Sequence, residues 1–173
     1  MMTKRNYRAY QSLLALMTLC VVAGSFYFQY VKGFQPCPLC FMQRVCACVL
    51  MFFLLVGLSL RSLRRARYVV FFQFVFAAAG LFFALRQLWL QLFTSHDTSV
   101  CMPGLEMLVR YFPWRQVVNV FFWGSNACSE VTWYGLGLSM AAWSALYFGC
   151  VLFFSGLFFV LLTLTSTRID HTP

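Results

Sequence analysis

Four uninterrupted apolar runs, at about 12–31, 40–60, 68–93 and 140–164, constrain this chain more than any other feature. Each comes close to the roughly 20 residues that a helix rising about 1.5 Å per residue needs to cross a hydrocarbon core about 30 Å thick. Backbone groups in lipid have no water to bond, so a spanning segment is either a helix or a strand of a closed barrel. Barrel strands alternate apolar and polar residues over about 10 positions, whereas these runs are longer and do not alternate. Composition agrees: of 173 residues, 62% are hydrophobic, 20% aromatic and only 10% charged, far from the usage of a soluble domain. The expectation is an all-α membrane protein, an antiparallel four-helix transmembrane bundle, with residues 1–173 forming a single domain free of internal repeats.

Lys4, Arg5 and Arg8 ahead of the first run, and Ala23-Gly24-Ser25 within it, imitate a secretory signal. Phe26, Tyr27, Phe28, Tyr30 and Val31 carry the run past signal length. Leu19 before Cys20 is also bulky where lipoprotein processing needs a small residue, so the segment is expected to remain as a span. Basic residues then set the orientation. Lys4, Arg5, Arg8, then Arg61, Arg64, Arg65 and Arg67, then Arg168 account for eight of the 13 Lys and Arg. The positive-inside rule places both termini and the 61–67 link in the cytoplasm. The net charge of +9 is therefore a topology signal, and no nucleic-acid partner is expected, because the basic residues flank spans and form no separate patch.

The connections at about 32–39 and 94–139 fall on the opposite side. In the longer one, Trp114, Val117, Val118 and Phe121 recur at helical spacing, with Arg115, Gln116 and Asn119 off that face. This pattern predicts a short interfacial helix, too short and polar to be a fifth span. Within the spans, Gln29 and Gln73 read as interhelical hydrogen bonds. Gly24-Ser25, Ala77 to Gly80, and Gly149 with Gly156 read as places where helices approach closely.

The eight cysteines divide by environment. Cys20, Cys46, Cys48 and Cys150 lie inside apolar runs and read as small core hydrophobes. Cys37, Cys40, Cys101 and Cys128 lie outside the cytoplasm, even in number and in a compartment that permits disulfides. One Cys-x-x-Cys followed by two cysteines 27 apart lacks the second close pair of a structural zinc site, so no metal is expected.

The stretch PCPLCFMQR, from Pro36 to Arg44, concentrates the chemistry. With Pro38 as the first helical residue, Cys37 becomes the N-cap and Cys40 falls in the first turn. The partial positive charge at a helix start favours thiolate over thiol. Residues 37, 40 and 44 also share one helix face, which puts the Arg44 guanidinium alongside both sulfurs. A tight disulfide beside a fixed cation suits exchange; the plainer alternative is an inert staple beside a snorkelling arginine. An exchanging pair needs an electron acceptor, and the chain has no nucleotide fingerprint, haem-attachment motif or iron–sulfur spacing. A membrane quinone fits, and Arg86, Gln87 and Gln91 supply polar groups near the outer end of the third run.

Cys37-Pro38-Leu39-Cys40, Gln43-Arg44, Arg86 with Leu90-Gln91, Cys101, Cys128, and Gly135-Leu136-Gly137-Leu138-Ser139 with Trp143 together resemble the disulfide bond formation protein B (DsbB) family of bacterial inner membranes, over nearly the whole chain. The resemblance implies a protein-dithiol:quinone oxidoreductase that re-oxidises a periplasmic thioredoxin-like oxidase of the DsbA type and reduces the membrane quinone pool, ubiquinone or menaquinone. It implies redox-active disulfides Cys37–Cys40 and Cys101–Cys128, with the partner attacking at Cys101 and Cys128 exchanging with Cys37. Cys40 would then face the quinone as a thiolate, with Arg44, Arg86, Gln87 and Gln91 as quinone-binding residues. The implied location is multi-pass in the inner membrane, with a long periplasmic loop carrying the interfacial helix. The pattern departs at Gln87, where the family often carries histidine; an amide donates a hydrogen bond but does not shuttle a proton. A vitamin K epoxide reductase-like enzyme shares the four-helix, four-cysteine logic, although Gln43-Arg44 and Leu90-Gln91 favour the first family. A non-enzymatic scaffold with structural loop disulfides is the remaining alternative, and it would resist exchange.

Overall fold

Each long apolar run becomes a long helix. The computed structural model describes residues 4–33, 37–60, 62–93, 113–124, 128 and 133–170. Its elements in chain order are α1 (Lys4–Tyr30), α2 (Pro38–Ser59), α3 (Leu63–Phe93), the short α4 (Trp114–Trp123), the strands β1 (Tyr134–Gly135) and β2 (Leu138–Ser139), and α5 (Met140–Asp170). Membrane-length apolar segments run over Asn6–Tyr30, Pro38–Ser59, Arg65–Phe93 and Met140–Leu164. The protein is a multi-pass membrane protein.

Side-chain pairings fix the helices as alternately up and down. Between α3 and α5, Gly80 meets Phe148, Phe74 meets Gly156 and Phe71 meets Phe159, so one number falls as the other rises. Phe53 of α2 stacks on Phe72 and Phe76 of α3. On α1, Tyr10 stacks on Phe158 with ring centroids 3.7 Å apart, while Thr18 meets Tyr147. A Cβ on Gly80 would lie 2.3 Å from the Phe148 ring, so the close approach expected around Ala77 to Gly80 is present and needs glycine. The same expectation fails at Gly24 and Gly149, which have nothing within 4 Å of a would-be Cβ; Gly24 lies on the wall of a cavity instead.

The bundle is polar inside and apolar outside at several levels, the arrangement lipid demands. Leu13, Leu16, Phe52 and Phe153 are exposed, while Gln11, Thr18, Gln73 and Ser155 are fully buried. Gln73 exchanges hydrogen bonds with Gln11 at 3.0 and 3.3 Å and donates to the Phe53 carbonyl at 3.3 Å. Gln11 also donates to the Tyr7 hydroxyl, and the Tyr147 hydroxyl donates to Thr18. The interhelical role expected of Gln73 is thus met, as is that of Gln29, which accepts from Arg44 of α2. Among the described residues no buried side-chain nitrogen or oxygen lacks a partner. Interhelical bonds of this kind contribute about 0.6–2 kcal/mol each in a membrane.

Helix α4 forms where the spacing predicted it and packs across the ends of α2 and α3. Val117 is buried, Phe121 meets Phe41, and Phe122 meets Phe83. Trp114 and Val118, grouped with them on spacing, are exposed, because the packed face runs through residues 117 and 121 and turns those two side chains aside. Beyond α4, β1 and β2 form an antiparallel hairpin pairing Tyr134 with Ser139 and Gly135 with Leu138.

Candidate functional site

Pro38 opens α2, and Cys37 is its N-cap, with extended backbone at φ −68° and ψ 160°. The missing N–H and fixed φ of proline suit the first helical position, and the Cys37 Sγ accepts from the Cys40 backbone N–H at 3.4 Å. That first turn brings the two sulfurs to 2.9 Å, with the Cys37 thiol donating to Cys40. The pair expected as a disulfide is thus brought together, its sulfurs in contact across one helical turn. Cys128 is 0% exposed and lies within hydrogen-bonding reach of Cys37. Its bond to Cys37, the Cys37–Cys40 bond and burial together push the Cys37 thiol above the ordinary thiol range. Hydrogen bonds made by the neutral form have that effect.

Across from Cys40 stands Gln87 of α3, its Nε2 at 3.2 Å and its Oε1 at 3.4 Å from the sulfur. Gln43, one turn after Cys40, donates to Gln87 Oε1 at 2.8 Å. Arg44 does not turn to the sulfurs as its spacing suggested. Its Nε donates to Ser25 Oγ at 2.8 Å, one terminal nitrogen donates to the Ser25 carbonyl at 3.2 Å, and the other donates to Gln29 Oε1. The guanidinium also lies 4.8 Å from the Phe26 ring centre, a cation–π contact. A long side chain at this position reaches the outer end of α1 because α1 offers it three acceptors.

Cys40, Arg44 and Gln87 line a common cavity of about 460 Å³ between α1, α2 and α5, walled otherwise mostly by apolar groups that include Phe28, Trp133 and Trp143. Arg86 and Gln91 are not among its lining residues. Arg86 donates to the Trp123 carbonyl at 3.2 Å and lies over the Trp123 ring, fastening the end of α4. Gln91 accepts from Ser139 at 2.9 Å. Cys101 lies outside the described residues, so its pairing with Cys128 does too. Sequence reasoning gave Gln43 no role of its own, although its position three residues after Cys40 was a usable signal for a shared face. Ser25 and Gln29 as partners of Arg44 had no comparable signal.

The family model described as Disulfide bond formation protein DsbB matches residues 7–158. Among curated relatives, a Disulfide bond formation protein B from Hahella chejuensis is 37% identical over 126 residues, covering 72% of this chain and 76% of the relative. One from Marinobacter nauticus is 34% identical over 158 residues, covering 86% and 89%. Disulfide bond formation protein B 1 from Pseudomonas aeruginosa is 31% identical over 150 residues, covering 83% and 88%. Similarity of this breadth, around contacting cysteines at one end of a four-helix membrane bundle, means that the chain belongs to the disulfide bond formation protein B family.

Proposed function

We propose that this protein re-oxidises a soluble, thioredoxin-like dithiol oxidase of the DsbA type and passes the electrons to a membrane quinone, ubiquinone or menaquinone. The observation that carries the reading is one contiguous line of groups: Cys128 against Cys37, Cys37 against Cys40, and Cys40 on the wall of a mostly apolar cavity.

The partner's thiolate attacks Cys101 of a Cys101–Cys128 disulfide, and its second thiol resolves the mixed disulfide, leaving the loop pair as two thiols. Cys128 then attacks Cys37 of the Cys37–Cys40 disulfide and Cys101 resolves that bond. The loop disulfide is restored, and Cys37 and Cys40 carry the two electrons as thiols. A quinone held in the cavity supplies the acceptor, taking two electrons and two protons. The cavity suits such a group, being mostly apolar with Arg44 and Gln87 among its few polar walls. Of the five N–H donors of the guanidinium, Ser25 and Gln29 take three, and the others serve a carbonyl oxygen. Arg86 and Gln91 act at one remove, by holding α4 and Ser139 beside the site. The chain works as one transmembrane domain of the bacterial inner membrane, with both termini cytoplasmic and the loops bearing the four cysteines periplasmic.

The test is electron transfer from a reduced DsbA-type protein to added quinone by the purified protein. Quinone-dependent oxidation of the partner is expected, and Cys101→Ser should abolish it. Absence of quinone dependence in the wild type, or a normal rate in Cys101→Ser, overturns the reading.

A further inference from the structure

Cys40 faces a carboxamide able to serve it in either protonation state. Gln87 Oε1, 3.4 Å from the sulfur, accepts from a thiol, and Gln87 Nε2, 3.2 Å away, donates to a thiolate. A glutamine amide presents donor and acceptor on nearly identical shapes, and its hydrogen-bond network decides which points where. In this structure Gln43 takes the oxygen: its Nε2 donates to Gln87 Oε1 at 2.8 Å. Gln43 and Gln87 are only 6% and 4% exposed, so water does not offer the amide an easy alternative partner. With its oxygen held by Gln43, Gln87 keeps its NH₂ group toward Cys40.

The geometry points to Gln43 as a positioning residue, which orients the Gln87 amide so that an N–H faces Cys40 and stabilises its thiolate. The inference rests on the reading of Cys40 as the sulfur that delivers electrons, and adds to it how this chain manages without a titrating group at residue 87. The relay has a fixed direction, Gln43 to Gln87 to Cys40, and neither amide changes protonation. It stabilises charge on sulfur and leaves proton transfer to other groups. Several titratable or charged groups also surround Cys40. The Cys37 and Cys128 thiols lie beside it, Arg44 of α2 and Tyr147 of α5 line the same cavity, and Arg86 of α3 turns away to Trp123. All of these stay in place in the variants that test the relay.

The measurement is the pH dependence of Cys40 alkylation in reduced, quinone-free, full-length protein in lipid nanodiscs, with the alkylated site read by peptide mass spectrometry. Gln43→Met is expected to raise the pH midpoint by about one unit, seen as about tenfold slower alkylation at neutral pH. Gln87→Met should raise it at least as far, and the double variant no further than Gln87→Met alone, because residues acting in series are not additive. Gln43→Glu should exceed Gln43→Met, since a carboxylate only accepts and draws the Gln87 NH₂ away from sulfur. If Gln43→Met fails to assemble, Gln43→Asn, with an amide one methylene too short for Gln87, carries the same expectation. An unmoved midpoint, or a Gln43 effect undiminished in the Gln87→Met background, overturns the relay. The assay needs neither partner nor quinone. A failed partner assay therefore overturns the proposed function alone, and an unmoved midpoint overturns the relay alone.

Discussion

Arg44 is bound on two sides at once, and that decides what its removal should do. Its guanidinium ties the start of α2 to Ser25 and Gln29 near the end of α1 while forming part of the cavity wall. Arg44→Ala is expected to weaken quinone affinity about 10- to 100-fold, the equivalent of one hydrogen bond to a charged donor at about 1.5–3 kcal/mol. Arg44→Lys should recover only part of it, because a point charge cannot bridge Ser25, Gln29 and a ligand as a planar fork does. Steady-state quinone reduction across a quinone titration reads the first effect. Thiol exchange between reduced partner and quinone-free protein is the control, and it should be unchanged. Equal slowing of both would make Arg44 a strut between α1 and α2. The spacing of Cys37, Cys40 and Arg44 was legible in the sequence as a shared face. The direction of a long side chain was not, since it depends on what the neighbouring helix offers.

Among the elements, the hairpin of β1 and β2 carries a visible conflict. Its two turn residues, Leu136 at φ 53° and Gly137 at φ 81°, match the left-handed pair of a tight two-residue turn, in which Asn-Gly is the favoured sequence. Leu136 has a Cβ that resists this conformation, and its side chain is 93% exposed, so packing within the chain does not compensate. Leu136→Asn should stabilise the protein by roughly 1 kcal/mol, the usual left-handed penalty, measured as a higher melting temperature in detergent. An unchanged or lower value would mean that the leucine finds compensation in the bilayer. The hairpin matters to the site because its Gly135 carbonyl accepts from Trp143 Nε1 at 3.0 Å, and Trp143 lines the cavity. Helix existence was readable throughout from run length and period. The hairpin was not, since two-residue strands leave no alternation to detect. The Gln43–Gln87 contact was equally invisible, because it depends on the register between α2 and α3.

At the scale of the whole molecule, the basic residues make the strongest remaining claim. Lys4, Arg5 and Arg8 precede the first apolar run, Arg61, Arg64, Arg65 and Arg67 fall between the second and third, and Arg168 follows the fourth, so the positive-inside rule leads us to expect these three segments in the cytoplasm. A tag fused after Pro173 should resist membrane-impermeant reagents in intact cells and react once the cells are opened. Labelling in intact cells would invert the molecule and place its cysteines on the reducing side. The four-helix frame was legible because hydropathy alone dictates it, whereas the buried polar pairs that register the helices emerge only once the bundle is assembled. The concealment of Cys128 has a last consequence. A sulfur with no solvent exposure, set against Cys37, offers small dissolved thiols no direct line of attack. If the sulfurs exchange as proposed, reducing power is expected to enter through a docking protein, with free thiols in the surrounding fluid reducing the inner pair only slowly.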